Sequence, residues 1–205
     1  HLIQNKALEL SLFLTLPASA ALLIASEEII SALFGYGSFD QVSAINSGKA
    51  LYYFALGLPA FSLIKVFSSF FFANHDTKIP FYISLFSVLI NIVISISYFS
   101  EIGFIIIPIA TTISSWLNAI LLFAFLKNRD LFSFNNIFLV RFVKIIIASL
   151  LMAIFFNFLI TYFKYELAFN KNIKSFYLIL SVILSLLFYL FVSYWIKAFK
   201  TSDIK

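Results

Sequence analysis

Few side chains in this sequence could do chemistry, and they are thinly spread. Lys65 sits deep inside an apolar run, residues 54–80. An isolated charge at the centre of a hydrocarbon layer costs about 2.5–3.5 kcal/mol on insertion scales, so such a residue is a functional candidate. Ser62 lies three residues before it and Ser69 four after, which makes its helical face locally polar. Two readings stand. Lys65 either snorkels toward the headgroups, or it is a cationic point in a cavity that meets an anionic group, phosphate being the natural one. His75-Asp76 lies in the short polar loop 74–78, with no nucleophile or third partner beside it. It reads as a solvated turn rather than a catalytic pair. Asp40 reads as a helix cap. There is no cysteine, and the two histidines are His1 and His75, too few for a histidine-based metal centre. No phosphate-cradling glycine loop, HExxH helix or framed carboxylate pair is present. No catalytic residue, metal site or cofactor is therefore expected, an enzyme is disfavoured, and a coupling ion or the membrane potential is left open.

A second set of polar residues recurs at helical spacing. Ser84, Ser87, Asn91 and Ser95 share one face, as do Thr111, Ser115 and Asn118, and as do Ser181, Ser185, Tyr189 and Ser193. Lipid offers no hydrogen bonds, so these stripes must face protein or a wet cavity. Small polar residues of this kind pack helices; they could also line a solute path. Lys65, Asn91 and Asn118 are the candidate substrate-binding residues.

The elements that position these groups follow from composition. The chain is 62% hydrophobic and 11% charged, against about 45–50% and 25% in a soluble domain. The apolar residues come in blocks of about 20, the length that crosses ~30 Å of hydrocarbon. The net charge of +5 comes from basic residues at block ends, not from a clustered basic face, so no nucleic-acid partner is expected. Six blocks are predicted, at about 8–34, 50–72, 80–99, 102–126, 139–162 and 176–196. Pro17 predicts a kink in the first, and Ser38 or Asp40 a cap for the second. The very short link around Glu101 makes the third and fourth an antiparallel hairpin. The fold class is all-α, a polytopic bundle of six transmembrane helices. The chain divides into four helices (1–126), a cytoplasmic connection (127–138), two further helices (139–196) and a polar tail (197–205). One side receives Lys6, Lys78, Lys127, Arg129, Arg141, Lys144, Lys197, Lys200 and Lys205; the other receives Lys49, Lys164, Lys171 and Lys174. Nine against four places both ends in the cytoplasm. The sequence starts in mid-pattern at His1 and reads as the C-terminal piece of a longer polypeptide.

Three stretches carry a family resemblance. The first is Leu33-Phe34-Gly35-Tyr36-Gly37-Ser38-Phe39, following an apolar helix with Leu16-Pro17. The second is Lys65-Val66-Phe67, then Phe71-Phe72-Ala73, then Asp76-Thr77-Lys78 and Pro80. The third is Ile109-Ala110-Thr111-Thr112-Ile113-Ser114-Ser115 with Asn118. Together they resemble the MurJ (MviN) family of lipid II flippases, part of the multidrug, oligosaccharidyl-lipid and polysaccharide exporter group. The resemblance implies fourteen helices, of which these are the last six. The first four would complete the second lobe, and the last two would border a hydrophobic groove for a lipid tail. It implies movement of the undecaprenyl-pyrophosphate-linked peptidoglycan precursor across the bacterial inner membrane by alternating access. The implied partners are the bilayer, lipid II and the rest of the same polypeptide upstream of His1. The family's essential arginines and acidic residue lie chiefly in helices outside this chain; Lys65 alone sits in a matching motif. The rivals are a polysaccharide-repeat or drug exporter of the same group, usually with twelve helices, and a non-transporting membrane scaffold.

Overall fold

The computed structural model describes residues 2–198. Most of the 197–205 tail, with Lys200 and Lys205, lies outside the described residues. Seven α-helices are described: α1 (Leu2–Ile24), α2 (Ser26–Phe34), α3 (Gln41–Ala73), α4 (Lys78–Ile102), α5 (Ile106–Asn128), α6 (Asn136–Tyr162) and α7 (Lys174–Trp195), with one 3-10 turn at Gly103–Ile105. All but α2 exceed the ~20 residues that a span needs. The apolar stretch Lys78–Asn128 is continuous in hydropathy, but Gly103 at φ +73 and the 3-10 turn fold it into two helices. The six spans agree with the six predicted blocks, and no strand occurs among the described residues.

Two predicted boundaries are corrected. The first block is not one helix. It continues through Pro17 and breaks instead at Ala25 (φ −125°, ψ 33°), so that α2 starts afresh with Glu27 and Glu28 in its first turn. Acidic side chains suit the positive end of a helix dipole. The second block starts at Gln41, nine residues earlier than expected. Asp40 accepts the Ser43 amide at 2.8 Å, which caps the helix, and the polar residues 41–49 extend it beyond its apolar part. At 33 residues, α3 is about 50 Å long. The Asp40 carboxyl titrates below its ordinary value because Ser43 hydrogen-bonds the ionised form. The cap is therefore in place above the unfolded carboxyl range and is lost as pH falls through the lowered value.

The described chain divides into two compact units. One holds residues 2–15 and 56–140. In it α4 and α5 pair along their length: Asn91 of α4 bonds Thr111 and Ser114 of α5, while Ser84 bonds Asn118. As the number falls on α4 it rises on α5, so the hairpin is antiparallel. Gly57 of α3 lies against α5, where a Cβ would stand 2.9 Å from the Thr112 hydroxyl. The other unit holds residues 16–55 and 141–198. There a Cβ on Gly48 would meet the Glu27 Cα at 2.9 Å, so only glycine lets α2 cross α3 this closely.

Three helices end in the same device. In α3, Asp76 N–H donates to Phe71 O and His75 N–H to Phe72 O, with His75 at φ +58. In α5, Leu131 N–H donates to Leu126 O and Asp130 N–H to Lys127 O, with Asp130 at φ +54. In α7, Ala198 N–H donates to Ser193 O and Lys197 N–H to Tyr194 O, with Lys197 at φ +54. These are Schellman caps with a non-glycine residue in the left-handed position. That position costs an L-residue about 1–2 kcal/mol, least for Asn, Asp and His. His75→Gly should thus raise the stability of the full-length protein by about 1 kcal/mol in a thermal melt. A loss of stability would mean that the imidazole makes a contact the backbone geometry does not require.

Candidate functional site

Lys65 lies on α3 eight residues before its end at Ala73, within about 12 Å of helix. It is exposed, and among the described residues it has neither an ion pair nor a hydrogen bond. The two serines expected to make its face polar are engaged elsewhere. The Ser62 and Ser11 hydroxyls bond each other between α3 and α1, and Ser69 Oγ donates to Val66 O at 2.7 Å.

The asparagines are placed differently. Asn91 Nδ2 donates to Thr111 Oγ1 at 3.0 Å and Ser114 Oγ at 3.3 Å, while its Oδ1 faces Ser95 Oγ at 3.5 Å. Asn118 is buried; its Nδ2 reaches Ser84 Oγ at 3.4 Å. Ser114 and Ser115 turn back to Thr111 O. The α4 and α5 stripes thus face one another as helix-to-helix glue. The third stripe is also buried: Ser181, Ser185, Tyr189 and Ser193 of α7 are each no more than 3% exposed. Tyr189 lies beside Ser149 of α6 and Ser193.

The 74–78 loop is a joint. Asp76 Oδ1 accepts the Lys78 and Ile79 amides at 3.1 and 3.2 Å, which caps α4. Its Oδ2 pairs with Arg129 Nη1 at 2.8 Å, tying that cap to the end of α5. The arginine is half-exposed, so the pair itself is worth at most about 1 kcal/mol. The connection after α5 is held from α1: Gln4 Nε2 donates to Leu131 O at 3.1 Å, and Asn5 Nδ2 to Ser133 O at 2.9 Å. Phe132 is buried in an aromatic cluster with Phe67, Phe70, Phe123 and Phe134. Among the described residues no three His, Cys, Asp or Glu side chains converge on a metal position.

Residues 1–178 match the family model described as "Lipid II flippase MurJ". The chain belongs to the MurJ family. It is 40% identical over 151 residues to a probable lipid II flippase MurJ of Rhizobium meliloti, covering 74% of this chain and 28% of that protein. The lipid II flippase MurJ of Thermosipho africanus is 28% identical over 92% of this chain and 36% of its own length. A solved structure titled as lipid II flippase MurJ in an inward closed conformation superposes with a TM-score of 0.75 at 27% identity, over 93% of this chain and 37% of the other. The chain therefore spans 28% to 37% of the length of these MurJ proteins. It is a multi-pass membrane segment.

Some placed residues carry no sequence signal. Glu9, one turn after Asn5, is only 5% exposed, and the apolar run that follows it disguises a buried acid. Lys174, grouped by sequence with Lys164 and Lys171 as a headgroup-facing charge, is 1% exposed. Its Nζ donates to Gly35 O at 2.7 Å and Phe169 O at 2.6 Å, and lies 4.5 Å from the Tyr36 and Phe169 rings. Ser175 Oγ donates to Ala32 O, and Tyr36 Oη is 2.7 Å from Ser175 Oγ. The first two residues of α7 thus cap α2 and secure the 33–39 turn. Lys171, by contrast, lies 3.9 Å from the centre of the Tyr165 ring in the link, and its pKa is raised by a hydrogen bond to Tyr165.

Replacing Lys174 by Met keeps much of the length but takes the donor from a buried carbonyl, that of Gly35, and a part-buried one, that of Phe169. We expect a loss of about 2–4 kcal/mol in the full-length protein, with Lys164→Met within about 0.5 kcal/mol of wild type in the same melt. Equal effects of the two would show that burial of Lys174 contributes nothing.

Proposed function

We propose that this chain supplies the last six helices of a lipid II flippase of the bacterial inner membrane. The observation that carries the reading is the match of residues 1–178 to the MurJ family; the six-span all-helical architecture agrees with it. The complete protein moves an undecaprenyl-pyrophosphate-linked disaccharide-peptide from the inner to the outer leaflet. Its cavity shields the charged head while the tail stays in lipid, and alternating access carries the head across. Both ends of the segment lie on the cytoplasmic side, by the excess of basic residues there. The chain acts as a transporter part, with no chemistry on its substrate.

Within this reading Lys65 is the substrate contact: a free ammonium at a depth where charge is costly, suited to the pyrophosphate. Asn91 and Asn118 act through the α4–α5 pairing, where both Nδ2 groups donate to hydroxyls of the facing helix. The last pair of helices offers apolar faces at Ile154, Phe158, Ile183 and Leu187, all at least half exposed, which suits a lipid tail.

The test uses the full-length gene in cells depleted of their own lipid II flippase. Rescue is expected, with Lys65→Leu weakening it by about tenfold or more in flipped precursor, the loss of one charge-assisted contact. Failure of an inserted, stable wild-type protein to rescue would overturn the flippase reading. Full rescue by Lys65→Leu would remove Lys65 from the site and leave that reading intact.

A further inference from the structure

Pro59 lies inside α3 and has no N–H. The carbonyl four residues back, on Ala55, thereby loses its helical donor. Ala55 is 1% exposed, so water does not replace the donor. Ser19 of α1, itself 6% exposed, donates its hydroxyl to Ala55 O at 2.6 Å. The next carbonyl, on Leu56, accepts the Trp116 indole N–H of α5 at 3.0 Å. Gly57 follows, and its bare Cα lets α5 approach. Two consecutive carbonyls beside one proline are thus served by donors from two other helices.

We propose that Pro59 makes α3 a hinge and that Ser19 is its latch. In a rigid helix the rung to residue 55 is internal and cannot be released without unwinding. Here it is supplied by a side chain, and a side chain can leave. A serine on a helix can turn back to the carbonyl four residues earlier, in this case that of Thr15, so Ser19 loses nothing when it lets go. The Ala55 carbonyl then needs water, so α3 bends only when that side is hydrated. Two states separated by one exchanged hydrogen bond differ little in energy, and a substrate that favours one can shift the balance.

The test uses the full-length protein and the variants Ser19→Ala, Ser19→Thr, Pro59→Ala and the Ser19→Ala/Pro59→Ala double. Pro59→Ala restores the internal donor. In thermal melts, Ser19→Ala should lower Tm by about 2 °C in the wild-type background, Ser19→Thr should not, and in Pro59→Ala the Ser19 change should have no effect. Hydrogen exchange of the amides of residues 56–63, measured in lipid nanodiscs, should slow at least about fivefold in Pro59→Ala. An equal Tm loss in both backgrounds, or unchanged exchange, would overturn the hinge. The link to transport rests on the flippase reading: in liposomes Pro59→Ala should flip lipid II at least about fivefold more slowly at unchanged affinity. Unaltered flipping with slowed exchange would show that the hinge does not serve transport. A wild-type protein that flips nothing would count against the flippase reading, while the melts and exchange still decide the hinge.

Discussion

The backbone carbonyls of Ala55, Ala32, Gly35, Leu131 and Ser133 accept hydrogen bonds from side chains that lie far away in sequence. Each lies where a helix rung is missing: beside a proline, at a helix end, or in an extended connection. Ala55 lies within a span, where no water can satisfy such a group and one left bare costs several kcal/mol; Ala32 and Gly35 are buried at the end of α2, and Leu131 and Ser133 lie in the connection after α5, where the bonds fix the path of the chain. These bonds order the chain. Ser19 serves the break at Pro59, Lys174 and Ser175 serve the end of α2, and Gln4 and Asn5 hold the strand of chain after α5. The hydrophobic effect sets the length of the spans but cannot choose their neighbours, since lipid is as apolar as leucine. Small residues and polar side chains make that choice here, as at Gly48, Gly57 and the Asn91–Thr111 pair.

The spans were legible because hydrocarbon thickness sets a length that apolar blocks display directly. The α4–α5 hairpin was legible from a link too short to allow anything else, and the polar stripes from their spacing. Helix ends were harder to read. Residues 41–49 are polar and look like a loop, yet Asp40 caps them into α3, and an apolar window cannot register a helix that projects beyond the bilayer. The break at Ala25 was hidden because Pro17 drew attention to itself, although a proline within a span can be tolerated when neighbours supply donors.

The candidate site was legible in part. Lys65 stood out because charge is rare at that depth, and its free state in the structure leaves both the snorkelling and the cavity geometry consistent with its position eight residues from the helix end. Lys174 could not be distinguished from its neighbours, since all three lysines of the link look alike until the fold brings Gly35 and Phe169 to one of them. The Asp76–Arg129 pair spans 53 positions, and a single sequence carries no signal at that separation. The family is carried by the 33–39, 65–80 and 109–118 patterns, while composition and spacing alone specify a membrane bundle.

The polar side chains that join α4 and α5 lie between the two helices, while Lys65 is exposed with no partner among the described residues. This chain has no cysteine, so single cysteines placed at 65 and at 118 in an otherwise cysteine-free full-length protein report on each position separately. Treated in inside-out membrane vesicles with a water-soluble, membrane-impermeant maleimide, Lys65→Cys should label and Asn118→Cys should not. Labelling of position 118 as fast as position 65, or protection of position 65, would show that the two side chains do not differ in this way.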